Sequence, residues 1–211
     1  FKPFVKLVAV MHTQRLQVMS GSVRRLLRRR AHGHVTNLLT KLRGGDVSSI
    51  MLELSDREQN SVFSILVKED RQLGAETLKA LGLERGLDLL RELPSDEISE
   101  VLEELESDSA ALFISALPDE TAQKVLEHMK VEESTEVRGL LQYQGETAGR
   151  IMTPNIFSLH EDLSVSEAIQ TIQTTQDLEM VFYLYVLDRR GHLVGVVSLR
   201  QLLMVAPSTS L

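Results

Sequence analysis

The sequence predicts an α-helical repeat domain that winds into a superhelix, followed by a small α/β unit. Apolar residues recur with a helical period from about residue 38 to residue 130. Near Gly149 this pattern changes to short β-rich runs with turn residues between them. Two of the helical stretches also align with each other without a gap, which is typical of stacked repeats that bury their apolar faces against one another.

The aligned stretches are residues 93–105 and 117–129, which begin at Leu93 and Leu117, 24 positions apart. The two apolar stripes, at positions i, i+3, i+4 and i+7, consist of Ile98, Val101, Leu102 and Leu105, and of Ala122, Val125, Leu126 and Met129. A fainter copy begins at Leu54. Each copy opens with a leucine, then Pro or Ser, then an acidic residue, which predicts an N-cap and a first helical turn.

The residues after Gly149 predict a β-α-β-β-α unit. Ser164 and Glu167 have the spacing of a capping box, which predicts a helix over residues 164–171. Residues 181–187 and 193–198 are predicted strands, separated by a turn over residues 188–191. A closing helix is predicted from Leu199.

Composition excludes several classes of function. The 211 residues contain no cysteine, so disulfides and cysteine-based metal sites or nucleophiles are impossible. Tryptophan is absent and aromatic residues make up 4%, which argues against a stacking platform for single-stranded nucleic acid. The sequence has no glycine-rich phosphate loop and no supported Ser/His/Asp grouping, and we expect no enzymatic activity. It also has no run near the roughly 18 apolar residues that cross a bilayer.

The net charge of −7 is distributed very unevenly. Residues 1–43 hold ten of the 23 Lys/Arg and no Asp/Glu, which leaves 13 basic and all 30 acidic residues, a formal −17, in the rest of the chain. Residues 76–136 are the most acidic and favour a cation or a basic partner. The basic segment 23–30 could lie on anionic lipid, bind nucleic acid, or simply be an exposed helix end.

The last unit, over residues 150–211, resembles a CBS motif. The matching segments are Met152–Pro154, the strand over residues 183–188, and the strand and helix start over residues 193–200. Together with the repeats, the chain resembles the cytosolic region of the MgtE family of magnesium channels. The junction over residues 143–154, with its Ala-Gly and Met-Thr-Pro elements, is similar to that family's junction.

The resemblance implies a domain order and partners. It implies a basic N-terminal arm over residues 1–37, an acidic helical N domain over 38–131, a connecting helix over 132–149 and a first CBS motif over 150–211. It also implies a homodimer on the cytoplasmic side of a bacterial inner membrane. A second CBS motif and a membrane channel domain are expected C-terminal to Leu211.

The resemblance also implies Mg²⁺ ligands. Mg²⁺ prefers hard oxygen ligands and keeps several waters, so one or two carboxylates can suffice. By resemblance, the candidate metal ligands are Glu76 and Asp108. A third acidic position of some family members falls on Leu112, which cannot bind a cation. The alternative for Glu76 and Asp108 is plain solvated helix surface.

A nucleotide site is the other implied site. By resemblance to CBS motifs that bind adenine nucleotides, Tyr183 could face an adenine and Arg200 could meet a phosphate. The acidic residue that usually follows is Gln201 here. The alternative is that Tyr183 is a strand core residue and Arg200 a surface residue at a helix start.

The sequence thus favours the Mg²⁺-sensing region of a magnesium channel, with Mg²⁺ as its cofactor and no nucleic acid partner. The alternative is an adenine-nucleotide-sensing CBS module on a helical adaptor without a transport role. A third reading is a structural scaffold, because the repeats also resemble the middle helices of the flagellar switch protein.

Overall fold

A computed structural model describes residues 2–145, 147–154, 156–175 and 182–211, with side chains from residue 15 onward. The chain divides into two compact units, Phe1–Pro154 and Asn155–Leu211. The first unit is helical and the second contains a small sheet. This confirms the predicted fold class.

Ten α-helices make up the described part of the first unit. They are α1 (Lys2–Arg28), α2 (His32–Leu39), α3 (Gly44–Leu52), α4 (Asp56–Glu69), α5 (Arg71–Leu81), α6 (Leu83–Leu90), α7 (Ser95–Leu102), α8 (Ser107–Ala116), α9 (Asp119–His128) and α10 (Val131–Leu141). No strand precedes residue 149 in the described residues, as the sequence predicts. No described helix is both long and apolar enough to cross a membrane.

The helices form an array of two layers, because each helix packs against the second helix after it. The odd-numbered layer runs from α1 to α9 through α3, α5 and α7, and the even-numbered layer runs from α2 to α10. Most of these helices have only eight to eleven residues, too few to be stable alone in water. Their stability therefore depends on the neighbours against which each apolar face is buried.

One continuous hydrophobic core runs through this array. Phe63, Leu66, Leu78, Leu102 and Ile114 are almost fully buried, although they come from four different helices. The two apolar stripes of the aligned repeats also belong to this core. The helical period of the sequence therefore identified the buried faces correctly.

The helix starts agree with the repeat pattern. The N-cap of α4 is Ser55, which forms a capping box with Glu58. Two N-terminal hydrogen-bonding groups are thereby satisfied. The N-cap residues of α7 and α9 are Pro94 and Pro118, both in extended conformation. These two helices pack against each other, as expected for neighbouring copies of one repeat.

Ion pairs between residues 27 to 29 positions apart connect neighbouring turns of the array. They are Asp56 with Arg85, Lys68 with Glu97 at 3.8 Å, Arg71 with Glu100 at 2.6 Å, Lys79 with Glu106 at 2.5 Å, and Glu103 with Lys130 at 3.4 Å. The bond to Asp56 raises the pKa of Arg85. Basic side chains of one turn thus compensate part of the acidic charge of another.

The basic N-terminal segment is part of the array. Val23 of α1 is fully buried, and Leu26 and Leu27 pack against the core. The helix packs on α2 and α3. The alternative of an exposed helix end therefore fits only its arginines, since Val23 is buried and Leu26 and Leu27 are partly buried against the core.

The second unit has the predicted β-α-β-β-α order. Its elements are β1 (Ser158–His160), α11 (Val165–Thr174), β2 (Tyr183–Leu187), β3 (Leu193–Ser198) and α12 (Leu199–Met204). β2 is the central strand, parallel to β1 and antiparallel to β3. Residues 176–181, which include the start of the predicted strand at 181, lie outside the described residues.

Local signals shape this unit. Ser164 and Glu167 form the predicted capping box at the start of α11. In the turn between β2 and β3, the Asp188 carboxylate accepts hydrogen bonds from the backbone N–H groups of Arg190 and His192, both at 2.8 Å. The bond from His192 lowers the pKa of Asp188 most. Gly191 has φ of 81°, which a residue without Cβ adopts readily.

Two glycines in helices allow a test of the packing of the array. A Cβ on Gly86 of α6 would lie 2.6 Å from Phe113 Cε1, whereas a Cβ on Gly139 of α10 would meet nothing within 4 Å. We expect Gly86→Ala to destabilise the protein by about 1–3 kcal/mol through overpacking. Gly139→Ala should stabilise it by about 0.5–1 kcal/mol through helix propensity. Urea unfolding followed by circular dichroism measures both, and equal shifts would contradict the packing of α6 on α8.

Candidate functional site

The predicted Mg²⁺ ligand Glu76 lies on the surface of α5, close to the start of α3. Its carboxylate is exposed and accepts a hydrogen bond of 3.3 Å from the backbone N–H of Gly44. A Cβ on Gly44 would lie 2.5 Å from Glu76 Cβ, so only glycine allows the two helices to approach this closely. Glu76 therefore interacts with one free N–H of α3 and keeps lone pairs toward solvent.

The second predicted ligand, Asp108, lies in the first turn of α8 and is half-buried. Its Oδ1 atom accepts a 2.7 Å hydrogen bond from the N–H of Ser109. An ion pair joins α5 to the N-cap of α8, because Lys79 of α5 contacts Glu106. Lys79 follows Glu76 by three positions, and Glu106 precedes Asp108 by two. Each predicted ligand is thus close in sequence to one partner of this ion pair.

These residues do not form a complete metal site within the described part of one chain. No group of three His, Asp or Glu side chains is placed there to hold an ion. Exposed Leu112, on α8, occupies the position where the resemblance implies a further acid. Glu76 and Asp108 are therefore carboxylates to which another surface would have to add oxygen ligands.

Not every acidic residue of this region is available to a cation. The Glu103 side chain is only 12% exposed. Its carboxylate accepts a 2.6 Å hydrogen bond from the backbone N–H of Lys130 and forms an ion pair with the Lys130 ammonium group. The side-chain interaction of the Lys130 ammonium group with Glu103 is the main cause of the raised pKa of Lys130. Glu103 thereby connects α7 to the start of α10 and has a structural role.

The predicted nucleotide residues Tyr183 and Arg200 line one pocket of about 540 Å³ in the second unit. The other lining residues are Phe182, Ser198, Leu199, Leu203 and Met204. Tyr183 is 64% exposed, so it is not a core residue of the strand. The pocket combines two aromatic rings, an apolar lining and a single cationic side chain.

Gln201 does not face this pocket as a free polar group. Its Oε1 atom accepts hydrogen bonds from the backbone N–H of Ser198 at 3.1 Å and from the Ser198 hydroxyl at 2.8 Å. The two residues form a capping box at the start of α12. The local helix start thus explains the glutamine at this position.

The junction motif has a packing role that spacing alone did not reveal. The Tyr143 ring lies so close to Gly149 that a Cβ there would be 2.5 Å from Tyr143 Cδ1. Arg150 donates a 2.8 Å hydrogen bond from Nη2 to the carbonyl oxygen of Ala111 on α8, and burial lowers its pKa. The junction is thereby held against the helical array.

A second cavity, of about 700 Å³, was not predicted. Its lining includes His32, Arg57, Phe63, Lys68 and Glu92, contributed by α2, α4 and the end of α6. These residues are far apart in sequence and share no motif. Only the packing of the even-numbered layer brings them together.

The chain places a helical array before a β-α-β-β-α unit, which is the order of a helical N domain followed by a CBS domain. Family models agree: residues 42–146 match the MgtE intracellular N domain, and residues 148–208 match the CBS domain. The chain belongs to the MgtE family, of which it contains the N domain and a CBS domain.

Two bacterial magnesium transporters are similar to part of this chain and support this assignment. A "magnesium transporter MgtE" of Enterococcus faecalis is 42% identical over 74 residues, which are 35% of this chain and 16% of that protein. One of Thermus thermophilus is 37% identical over 75 residues, 35% of this chain and 17% of that protein. The matched stretch thus spans about a sixth of the length of these relatives.

Two crystal structures share the fold. The cytosolic domain of the Mg²⁺ channel MgtE in complex with ATP is 28% identical, with a TM-score of 0.79 over 90% of this chain and 77% of that one. The soluble part of a magnesium transporter is 24% identical, with a TM-score of 0.75 over 92% of this chain and 76% of that one. The second likeness supports the fold alone.

Proposed function

We propose that the chain is the cytosolic Mg²⁺-sensing region of a magnesium channel and acts at the inner face of a bacterial membrane. The observation that supports this most is the order of its two units, since an MgtE N domain is followed by a CBS domain. In this proposal a membrane channel domain follows in the complete protein. The acidic surface of the helical array would bind Mg²⁺ and thereby hold the channel closed.

The charge of the array supports a cation as the regulator. The cross-helix ion pairs compensate only part of the acid in residues 76–136, where five Lys/Arg face seventeen Asp/Glu. Unbalanced carboxylates repel one another, and a divalent cation relieves this repulsion where acidic surfaces meet. Glu76 and Asp108 are the proposed ligands, because each carboxylate accepts a backbone hydrogen bond, from Gly44 and Ser109 respectively, and keeps further lone pairs that a cation can use.

We expect Mg²⁺ to stabilise the isolated chain with millimolar affinity. A ligand that binds only the folded state at ten times its Kd adds about 1.4 kcal/mol to the free energy of unfolding, or about 3–5 °C in Tm for a chain of this size. The measurement is thermal unfolding in MgCl₂ against NaCl of matched ionic strength. The double variant E76Q/D108N should lose the Mg²⁺-specific part. Its amide oxygens can still accept the two backbone hydrogen bonds.

The matched control is E84Q/D119N, which also removes two exposed carboxylates, from the first turns of α6 and α9. It should retain the Mg²⁺-specific shift. Leu112→Asp should increase that shift, because it restores the further acid at an exposed position. Equal shifts in Mg²⁺ and in matched NaCl would show only general screening and would contradict Mg²⁺ sensing.

The pocket of the second unit favours an adenine nucleotide as a second ligand, and with it the alternative function of nucleotide sensing. The exposed Tyr183 ring can stack on a base, and the Arg200 guanidinium can bind a phosphate. A related structure, the cytosolic domain of an MgtE channel, is a complex with ATP. Because Gln201 is engaged in its capping box, we expect weaker ribose recognition than an acidic residue would give.

ATP binding measured by isothermal titration calorimetry tests this site. Arg200→Gln should weaken binding about tenfold, through the loss of a charge-assisted hydrogen bond. Arg189→Gln is the control of equal charge, because Arg189 lies beyond the other end of β2 and pairs with Asp162 at 2.9 Å. If both variants bind ATP as the wild type does, or if both lose binding equally, the pocket is not the nucleotide site.

The exposed face of the sheet supports the proposed homodimer. Tyr183, Tyr185, Val194 and Val196 are exposed, as is Leu203 of α12. Cross-strand pairing of Tyr185 with Val196 places these two side chains on the same face. A contiguous apolar face of this kind favours association with another CBS unit.

We expect this chain to be a dimer at high micromolar concentration, because that face would otherwise remain exposed to water. Multi-angle light scattering gives the mass. Tyr185→Glu combined with Val196→Glu should produce a monomer, since charge on this face opposes its burial. A wild-type monomer at this concentration would contradict the proposal.

A further inference from the structure

Four arginines at and just after the end of α1 form an exposed basic surface. This arginine cluster consists of Arg25, Arg28, Arg29 and Arg30, all exposed. None of the four forms an ion pair with a described residue, whereas the preceding Arg24 lies 3.6 Å from Glu58. Cations near a helix C-terminus interact favourably with the helix dipole, but this effect is confined to the last turn and does not require four of them.

The backbone at Arg30 supports a role for this side chain beyond folding. Arg30 has φ of 53° and is the only non-glycine residue with positive φ in the described part of the chain. Hydrogen bonds from its N–H to the Leu27 carbonyl and from Ala31 N–H to the Leu26 carbonyl form a Schellman motif. Glycine is preferred at this position. An arginine kept in a left-handed conformation, without an ion pair, indicates a function at the surface.

The buried side of α1 fixes which way the cluster faces. Val23 is fully buried and Leu26 and Leu27 are partly buried against the core, so the arginines between and after them face solvent. The family model begins only at residue 42, so this surface is additional to the matched N domain. In the sequence of the same helix, residues 4–11 are apolar except for Lys6.

We propose that the arginine cluster binds anionic phospholipid headgroups at a bilayer surface. Guanidinium groups bind phosphate through paired hydrogen bonds, and a helix that combines basic residues with an apolar run is typical of interfacial membrane binding. A nucleic acid fits less well, because residues 5–62 contain no Phe, Tyr or Trp on which bases could stack. The rest of the chain carries a formal −17, which would also repel a polyanion that wraps around it.

Vesicle co-sedimentation in EDTA tests this proposal with the full chain. Wild-type protein should bind vesicles of phosphatidylcholine with phosphatidylglycerol and not vesicles of phosphatidylcholine alone, and salt should weaken the binding. Each arginine near an anionic surface contributes about fivefold to partitioning, so R25Q/R28Q/R29Q/R30Q should bind at least about a hundredfold more weakly. R57Q/K68Q/R91Q/K124Q has the same change in net charge at other exposed positions and should bind as the wild type does.

The single variant Arg30→Gly separates binding from folding. Glycine removes the conformational penalty of the left-handed backbone, so its Tm should rise or stay unchanged. Its binding to anionic vesicles should nevertheless fall about fivefold. Unchanged vesicle binding in this variant and in the quadruple variant would overturn the proposal.

Three other outcomes would also overturn it. The first is a requirement for Mg²⁺ in vesicle binding, which would indicate that the cation bridges carboxylates and lipid. The second is tight binding of an oligonucleotide without vesicle binding. The third is loss of self-association in the quadruple variant, which would indicate that the arginine cluster binds the acidic surface of a second copy. The proposal shares with the proposed function only the location beside a membrane. The quadruple variant should retain the Mg²⁺-specific shift in Tm, so the two proposals can fail independently.

Discussion

The packing of each helix against the second helix after it is the constraint on which the first unit depends. Most of its helices are eight to eleven residues long. A helix of this length gains its stability from tertiary contacts rather than from its own hydrogen bonds. One continuous core therefore joins residues as distant as Val23 and Leu140. The positions of Glu76 and Asp108 follow from this packing, since α3, α5 and α8 are held only by their neighbours in the array.

Ion pairs also connect the helices of the array, both within and between the two layers. Ion pairs between residues 27 to 29 positions apart reach from one helix to a later one, so basic side chains of α4 and α5 meet acidic residues of α7 and its following turn. Most of these pairs are exposed and contribute little each to stability. The ion pairs separate two groups of acidic residues. One group has a basic partner within the fold, and the other is available to a ligand in our proposal. Glu103 belongs to the first group, and Glu76 is the better candidate for the second.

The two ends of the first unit differ in charge and in packing. At one end, the arginine cluster at and after the end of α1 forms no ion pair with a described residue. At the other, Tyr143, Gly149 and Arg150 hold the junction against α8 and α10 through ring packing and one hydrogen bond. In our proposals, cation binding occurs on the array between these ends, where carboxylates rather than cations dominate.

The sequence by itself determined the helical period of the array, the helix starts at Ser55, Pro94 and Pro118, and the β-α-β-β-α order with the Ser164–Glu167 capping box, because these depend on contacts within a few residues. It also indicated Tyr183 and Arg200, which the structure brings into one pocket. Only the tertiary structure decided which helices are neighbours, which carboxylates are engaged across the array, and that Gln201 caps its own helix. These features depend on residues that are distant in sequence or on rotamers that spacing leaves undetermined. The sequence pattern therefore indicates candidate ligand residues, whereas the packing of the helices determines which of them are exposed to solvent.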